Sequence, residues 1–234
     1  MSTSGVLALI PARSGSKGVA DKNTRPLAGR TLLEYAATAA AASGVIDRIV
    51  LSTDSDRIAA EGRRVGAEVP FIRPVDLARD DTPMFPVIEH ALDALEKEGW
   101  YAEIVVLLQP TSPLRRPEHI RDAVRELRDS GADSVVTVVE VPRHLSPDYV
   151  MRVEGGRLKS FLPEGENVTR RQDARSAFAR DGSVYAFWTR TVRKTHNIYG
   201  HDCRPLVLSA EDVITIDTSS DWTEAERRLR VANA

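Results

Sequence analysis

The 234-residue sequence contains a single cysteine, Cys203, no long apolar run and almost no net charge. A lone cysteine excludes a disulfide within the chain and is typical of proteins of a reducing cytoplasm. No apolar run approaches the roughly 20 residues of a membrane span, and "GVLALIPA" is too short for a signal peptide. The formal net charge of −2 argues against nonspecific nucleic-acid binding as the main activity. These absences predict a soluble cytoplasmic protein with neither a membrane nor a nucleic-acid partner.

Apolar, β-branched runs alternate with amphipathic or alanine-rich stretches along most of the chain. The predicted strands are "VLALI", "DRIVLS", "AEVPFIRP", "EIVVLLQ", "DSVVTVVEV", "SVYAFWT" and "DVITI". The predicted helices are "TLLEYAATAAAASG", "DSDRIAAEGRRVG", residues of about 83–98, "RPEHIRDAVRELRDSG" and a last helix beginning near Ser219. Strands and helices in this order predict right-handed crossovers and an α/β fold with a mostly parallel sheet.

The pattern changes near residue 143. "YVMRVEGGRLKSFL" reads as two short strands joined by Glu-Gly-Gly, which predicts a hairpin. The following "PEGENVTRRQDARSAFARDG" is polar and irregular. We expect residues 1–234 to form one domain, with residues of about 143–178 as a protruding β arm.

Unusual polar clusters follow four of the predicted strands. They are "PARSGSKG", "STDSD", "QPTSPLR" and Asp217. Because ligands of open parallel sheets bind beyond the carboxyl ends of the strands, these clusters predict a ligand site at that edge.

The first of these loops, "IPARSGSKGVADKN", has the composition of an anion site. It matches neither G-x-G-x-x-G nor G-x-x-x-x-G-K-[ST]. Gly15 and Gly18 nevertheless allow backbone N–H groups to approach an anion closely, and Arg13, Lys17 and Lys22 add three charges. Such a cluster suits a triphosphate better than one carboxylate; a solvated basic turn is the alternative.

Asp217 follows the apolar run "DVITI" and is predicted to end a buried strand, where an unpaired charge is costly. An acid beside a polyanion site is most simply explained as a ligand of Mg²⁺, which binds one or two carboxylates together with phosphate oxygens. Asp221 is a weaker candidate, because it also fits the first turn of the last helix.

Taken together, the motifs resemble those of the acylneuraminate cytidylyltransferases (CMP-sialic acid synthetases) and their relatives for other nonulosonic acids. The stretches that carry the resemblance are "IPARSGSKGVADKN", "LSTDSDRIA", "RPVDLARD", "LLQPTSPLR", "RRQD", "DGSVY" and "IDTSSDW". The resemblance implies a Rossmann-like nucleotidyltransferase fold with helices on both faces of the sheet. It also implies transfer of CMP from CTP, with Mg²⁺, to a 2-keto sugar acid, with pyrophosphate as the leaving group. The arm would supply a homodimer contact.

The resemblance further implies roles for particular residues. It assigns nucleotide contacts to Arg13, Ser16, Lys17, Lys22, Asn23 and Arg73. It assigns acceptor contacts to Gln109, Arg171, Asp181 and Tyr185. The expected catalytic set is Arg13, Lys17, Gln109 and Asp217, with Asp217 as the metal ligand.

The sequence departs from the family pattern in four places. Thr215 replaces the first aspartate of an Ile-Asp-Ile-Asp motif, and Met84 stands where a hydroxyl often helps to hold the base. Asp181 replaces an asparagine before Gly182, and Pro147 or Asp148 falls where some relatives carry a basic residue. Three of these changes fall on the metal or acceptor side, so we expect an acceptor pocket different from that for N-acetylneuraminate.

Two alternatives stay open at the level of sequence. One is CTP-dependent activation of another anionic acceptor, such as a Kdo-like acid or a phosphonate. The other is a nucleotide-binding protein that has lost catalysis through Thr215, against which the intact phosphate loop argues.

Overall fold

The computed structural model describes residues 3–15 and 18–232. Ser16 and Lys17 of the opening loop therefore lie outside the described residues. The strands are β1 Thr3–Pro11, β2 Pro26–Leu27, β3 Arg30–Thr31, β4 Arg48–Ser52, β5 Trp100–Leu107, β6 Ser134–Glu140, β7 Met151–Glu154, β8 Arg157–Ser160, β9 Phe178–Trp188 and β10 Cys203–Leu208. The helices are α1 Leu32–Ala42, α2 Asp56–Arg64, α3 Met84–Lys97, α4 Pro117–Ser130, α5 Thr189–Thr195 and α6 Ser219–Ala232.

The main sheet has six strands in the order β10-β6-β9-β5-β1-β4. Its pairs are parallel except those of β9, which runs antiparallel to both β5 and β6. The predicted α/β fold with a mostly parallel sheet is confirmed. The reversal of β9 brings its first residues to the edge where the parallel strands end.

Helices cover both faces of this sheet because its central strands are apolar on both sides. Along β1, Val6, Ala8 and Ile10 pack in the cluster that contains residues of α1, α2 and α4. Leu7 and Leu9 pack in the opposite cluster, with residues of α3 and α5. This alternation is the side-chain period of a strand, and a strand buried on both faces reads as one continuous apolar run.

Two predicted strands are wrong. "AEVPFIRP" forms only an isolated bridge between Glu68 and Val50, since Pro70, two residues further on, lacks the N–H that a continuing ladder needs. "DVITI" is not a strand either; the backbone N–H of Ile216 donates to the carbonyl of Thr111 at 2.9 Å, outside the ladder. The edge beside β6 belongs instead to β10, whose Pro205 obscured the strand pattern.

The arm forms a small structure of its own. Strands β7 and β8 pair as the predicted antiparallel hairpin, separate from the main sheet. Where the arm begins and ends, the N–H of Val141 donates to the carbonyl of Ala177 at 2.8 Å. Asp148 is buried and forms an ion pair with Arg175; the hydrogen bonds from Arg175 lower the pKa of Asp148 to about 2.

Across the described ranges 3–15 and 18–232, the helices are too short or too polar for a bilayer-spanning segment.

Candidate active site

A cleft of about 210 Å³ lies at the carboxyl edge of the sheet. It is bounded by the end of β1, the loop after it, the start of α3 and the loop after β5. The residues that line it are Pro11, Ala12, Arg13, Lys22, Asn23, Arg73, Met84, Gln109, Pro110 and Thr111. The structure thus brings together five residues that the sequence assigned to one site: Arg13, Lys22, Asn23, Arg73 and Gln109.

The opening loop is anchored at several points along its described part. The backbone N–H of Ser14 donates to Oδ1 of Asp54 at 2.8 Å, and the Ser14 hydroxyl donates to Oδ2 at 2.5 Å. Although burial acts to raise it, these hydrogen bonds keep the pKa of Asp54 below its usual value. The side-chain amide of Asn23 donates to the carbonyl of Arg13 at 3.2 Å. The cationic loop is therefore held against the ends of β1 and β4.

Arg13 and Arg73 are positioned differently within the cleft. Arg13 is half-buried and forms an ion pair with Asp80 at 2.5 Å. Arg73 is only 4% exposed, and its guanidinium donates to the carbonyls of Ser52, at 2.8 Å, and Leu77, at 3.3 Å. Burial lowers the pKa of Arg73. Its Nε is buried and meets no partner among residues 3–15 and 18–232.

An unpartnered buried N–H is costly in a folded protein. The guanidinium of Arg73 is thus fixed by two carbonyls but leaves one buried donor unsatisfied within the described part of the chain.

The opening loop also contacts the segment that carries Asp217. Lys22 donates from Nζ to the carbonyl of Ile216 at 3.3 Å and lies 3.9 Å from Oδ1 of Asp217. Burial lowers the pKa of Lys22, while the Asp217 carboxylate acts in the opposite sense. Gly18 packs directly on the carbonyl of Asp217, where a Cβ would clash with that oxygen. The two segments therefore form one contiguous wall.

Asp217 does not end a buried strand, as the sequence predicted, but lies in a loop with its side chain 72% exposed. Asp221 accepts from the N–H groups of Asp217, at 3.0 Å, and Thr218, at 2.7 Å, so its carboxylate serves the start of α6. The Thr215 hydroxyl donates to the carbonyl of Asp181 at 2.9 Å.

The described residues contain no cluster of three or more acidic, histidine or cysteine side chains suited to a metal. One exposed carboxylate beside the cationic opening loop would fit Mg²⁺ that takes its other ligands from phosphate and water.

Gln109 faces the beginning of β9. A Cβ on Gly182, whose φ is +79°, would lie 2.9 Å from Oε1 of Gln109. Gly182 thus allows both a left-handed backbone and a close approach to the glutamine. Tyr185 is opposite Leu107 in the β5–β9 ladder and lies in the apolar cluster against which Met84 packs. Burial raises the pKa of Tyr185.

Tyr185 and the two remaining predicted acceptor residues, Asp181 and Arg171, lie outside the cleft lining. Asp181 is only 4% exposed; its Oδ1 accepts from the N–H of Ser183 at 3.3 Å. Its Oδ2 is buried and has no partner within the described part of the chain. Arg171 is exposed on a short 3-10 turn of the arm.

Sequence reasoning gave no role to three residues that shape the site: Asp54, Asp80 and Arg115. All three lie within motifs that the resemblance used, but a motif does not say which side chains within it contact one another.

Comparison with known proteins shows one family. A family model described as cytidylyltransferase matches residues 7–148. The chain is 34% identical over 229 residues to the CMP-N,N'-diacetyllegionaminic acid synthase of Legionella pneumophila, and the alignment covers 97% of each protein. It is 37% identical over 218 residues to the N-acylneuraminate cytidylyltransferase of Escherichia coli, covering 93% of this chain and 50% of that protein. This chain thus spans about half the length of the Escherichia coli relative.

A solved structure of CMP:2-keto-3-deoxy-manno-octonic acid synthetase complexed with CTP has a similar fold. It matches with a TM-score of 0.73 and 16% identity, over 98% of this chain and 100% of that chain. At this identity the likeness shows the fold alone.

Proposed function

The chain belongs to the cytidylyltransferase family, and from that premise we propose that it joins CTP and a nonulosonic, sialic-acid-like 2-keto sugar acid to give the CMP-sugar and pyrophosphate. The observation that carries the proposal is the cleft, whose lining brings Arg13, Lys22 and Arg73 together with Gln109. In such a reaction the anomeric hydroxyl of the acid attacks the α-phosphate in line. Catalysis then depends on alignment and on charge neutralisation.

The cationic side of the cleft suits the nucleotide. Lys22 and Arg13 supply positive charge for the triphosphate, and both are held by other parts of the site. Arg73 lines the cleft with its guanidinium fixed by two backbone carbonyls, and it is proposed to donate to the cytosine or its ribose. Ser16 and Lys17, as further phosphate contacts, stay predictions.

Mg²⁺ enters as part of the substrate, bound to the phosphates of CTP. The metal would neutralise charge that develops on the leaving pyrophosphate. Asp217 is the side chain proposed to bind it, because it lies beside the phosphate loop and is exposed.

The acceptor lies beside Gln109; Tyr185, which is buried and outside the cleft lining, stays a predicted contact. Gln109 has both a donor and an acceptor for sugar hydroxyls, at the mouth of the cleft. Among the acceptors, the similarity to a CMP-N,N'-diacetyllegionaminic acid synthase along the full chain favours an acid of the legionaminic type. Neither a Kdo-like or phosphonate acceptor nor a protein without catalysis is favoured by the relatives.

The arm is proposed to join two copies of the chain. Several large apolar side chains project from it into solvent: Met151, Val153, Leu158 and Phe161. Exposed apolar groups that are contiguous on a protein surface are typical of an interface. Arg171, on the same arm, would then lie near a subunit boundary.

The dimer has a direct test. Leu158→Lys should reduce the mass measured by light scattering from that of a dimer to that of a monomer. Val75→Lys, at an exposed valine outside the arm, is the matched control and should leave the mass unchanged. A wild-type mass equal to one chain would contradict the proposal.

A cytoplasmic location stays a prediction.

The reaction is tested by pyrophosphate release with Mg²⁺ and CTP. The acceptor panel contains a legionaminic acid, N-acetylneuraminate, other nonulosonic acids and Kdo, and ATP, GTP and UTP replace CTP in control reactions. We expect release with CTP and a nonulosonic acid. Release with Kdo alone would support the second acceptor class, and silence with all acids despite CTP binding would overturn the proposed activity.

A further inference from the structure

Arg115 joins the two segments that form the acceptor side of the cleft. Its guanidinium donates from Nε to the carbonyl of Ser183 and from Nη2 to the carbonyl of Gln109, each at 2.5 Å. Gln109 follows β5, whereas Ser183 lies in β9, just beyond Gly182. One side chain, only 6% exposed, therefore links a loop and a strand that are far apart in sequence.

The charge of Arg115 is buried, and among the described residues no carboxylate accepts a hydrogen bond from it. The hydrogen-bond acceptors that the described residues offer it are both neutral carbonyl oxygens. Burial lowers the pKa of Arg115 to about 10, and the Asp181 carboxylate acts to raise it. Isolated buried charges are costly, so a buried cation needs a counter-charge.

Asp181 has the properties of that counter-charge. It is buried like Arg115, and its Oδ2 has no hydrogen-bond partner within the described ranges. Its backbone carbonyl accepts from the hydroxyls of Ser112, at 3.4 Å, and Thr215, at 2.9 Å. These contacts hold Asp181 beneath the acceptor side of the site instead of in the cleft.

We propose that Arg115, with Asp181 as its buried counter-charge, is a positioning residue that holds Gln109 and the start of β9 in the arrangement the sugar acid requires. The proposal rests on the proposed function and assigns Asp181 to the support of the site. Neither residue has to touch the acceptor.

The contacts of Arg115 predict that its replacement weakens binding of the acceptor acid and leaves binding of CTP nearly unchanged. The side chain of Gln109 packs against Gly182, so a shift of either segment changes the acceptor surface. Arg73 and Lys22 are held by other carbonyls, those of Ser52, Leu77 and Ile216, and not through Arg115. A variant at Arg115 should therefore change KM for the acid more than the affinity for CTP.

The first test replaces Arg115 by lysine. A single ammonium cannot reproduce the fork that reaches two carbonyls at once. We expect Arg115→Lys to raise the acceptor KM by about tenfold or more, while the Kd for CTP, measured by calorimetry, changes by less than about twofold. Arg116→Lys is the matched control, because its exposed side chain pairs with Asp212 at 2.7 Å and should leave both constants unchanged.

The second test separates a counter-charge from an acceptor contact. Arg115→Met leaves Asp181 without its cation, and Asp181→Asn does the reverse, so each should lower Tm. The double variant should lose less than the sum of the two losses, because no buried charge is left unpaired. If Arg115→Met alone does not fold, a folded double variant would show the same coupling between the two charges.

Three results would overturn the inference. They are an unchanged acceptor KM in Arg115→Lys, equal losses in acceptor KM and CTP affinity, and additive Tm losses in the double variant. If the wild-type protein releases pyrophosphate and Arg115→Lys keeps the wild-type acceptor KM, the inference about Arg115 is wrong but the proposed function stands. Wild-type protein that binds CTP but reacts with no acid overturns the proposed function as well.

Discussion

Replacement of Gly18 by alanine tests whether the opening loop and the Asp217 segment must stay in contact. A Cβ at this position would lie 1.8 Å from the Asp217 carbonyl oxygen, whereas ordinary van der Waals contact begins at 3.4 Å. The obstacle is backbone, which yields less easily than the end of a flexible side chain. One of the two segments therefore has to move by about an ångström.

The expected loss follows from that displacement. A misplacement of about 1 Å in a catalytic arrangement can cost about 100-fold in rate, which corresponds to about 2.7 kcal/mol of transition-state stabilisation. Since Lys22 bridges the same two segments, the displacement should disturb the phosphate contacts and the Asp217 carboxylate together. We expect kcat/KM for CTP to fall by about this factor, with a much smaller change in Tm.

Two other glycines provide controls. Gly15, in the same loop, has a φ of +69°, and no atom lies within 4 Å of the place that a Cβ would occupy. Gly156, in the arm hairpin, has a φ of +75° and the same free space. Alanine at either position adds left-handed backbone strain of about 1–2 kcal/mol without a clash. If Gly18→Ala retains kcat/KM at the level of Gly156→Ala, the contact with Asp217 has no role in the reaction.

Two further substitutions probe the buried His119 and the half-buried Thr215. Burial lowers the pKa of His119, so the folded state takes up a proton less readily than the unfolded state, and the free energy of unfolding should fall as the pH drops below about 6.5. His119→Gln keeps an acceptor for the N–H of Arg116 and should flatten this fall in urea unfolding between about pH 7 and pH 5; an unchanged slope would contradict it. Thr215→Asp places a carboxylate against the carbonyl of Asp181 and removes the donor of that hydrogen bond, so the free energy of unfolding should fall by about 1–3 kcal/mol. Thr215→Ser keeps the donor and is the control, and equal Tm values for the two variants would refute this interpretation.

The sequence predicted the elements whose pattern is local. The continuous apolar run of β1 reflects burial on both faces, and the stretch before Gly131 shows the apolar period of α4 together with Pro117 at its start. Thr31 caps α1 by accepting from the Glu34 N–H at 3.1 Å, and a threonine three residues before a glutamate is a local pattern of helix starts. The Glu34 carboxylate, however, pairs with Arg64 at 2.8 Å, a residue that no local pattern connects to it.

The remaining features depend on contacts between distant segments. "DVITI" has a strand's composition, but only Ile216 is fully buried, and β10 occupies the sheet edge. The cleft could be predicted in outline, because strand ends meet at one edge. The pairing of Arg13 with Asp80 and the carbonyl contacts of Arg115 could not, since they depend on how the loops fold over that edge.

The arm interrupts what would otherwise be a simple hairpin. Strands β6 and β9 are antiparallel neighbours in the main sheet, and the arm is the segment between them, its two ends joined through Val141 and Ala177. Doubling the length of such an insertion adds only about 0.6 kcal/mol to the entropy of loop closure. Evolution can therefore lengthen, shorten or exchange this module, at the border of the acceptor side, while the sheet that positions the nucleotide keeps its register.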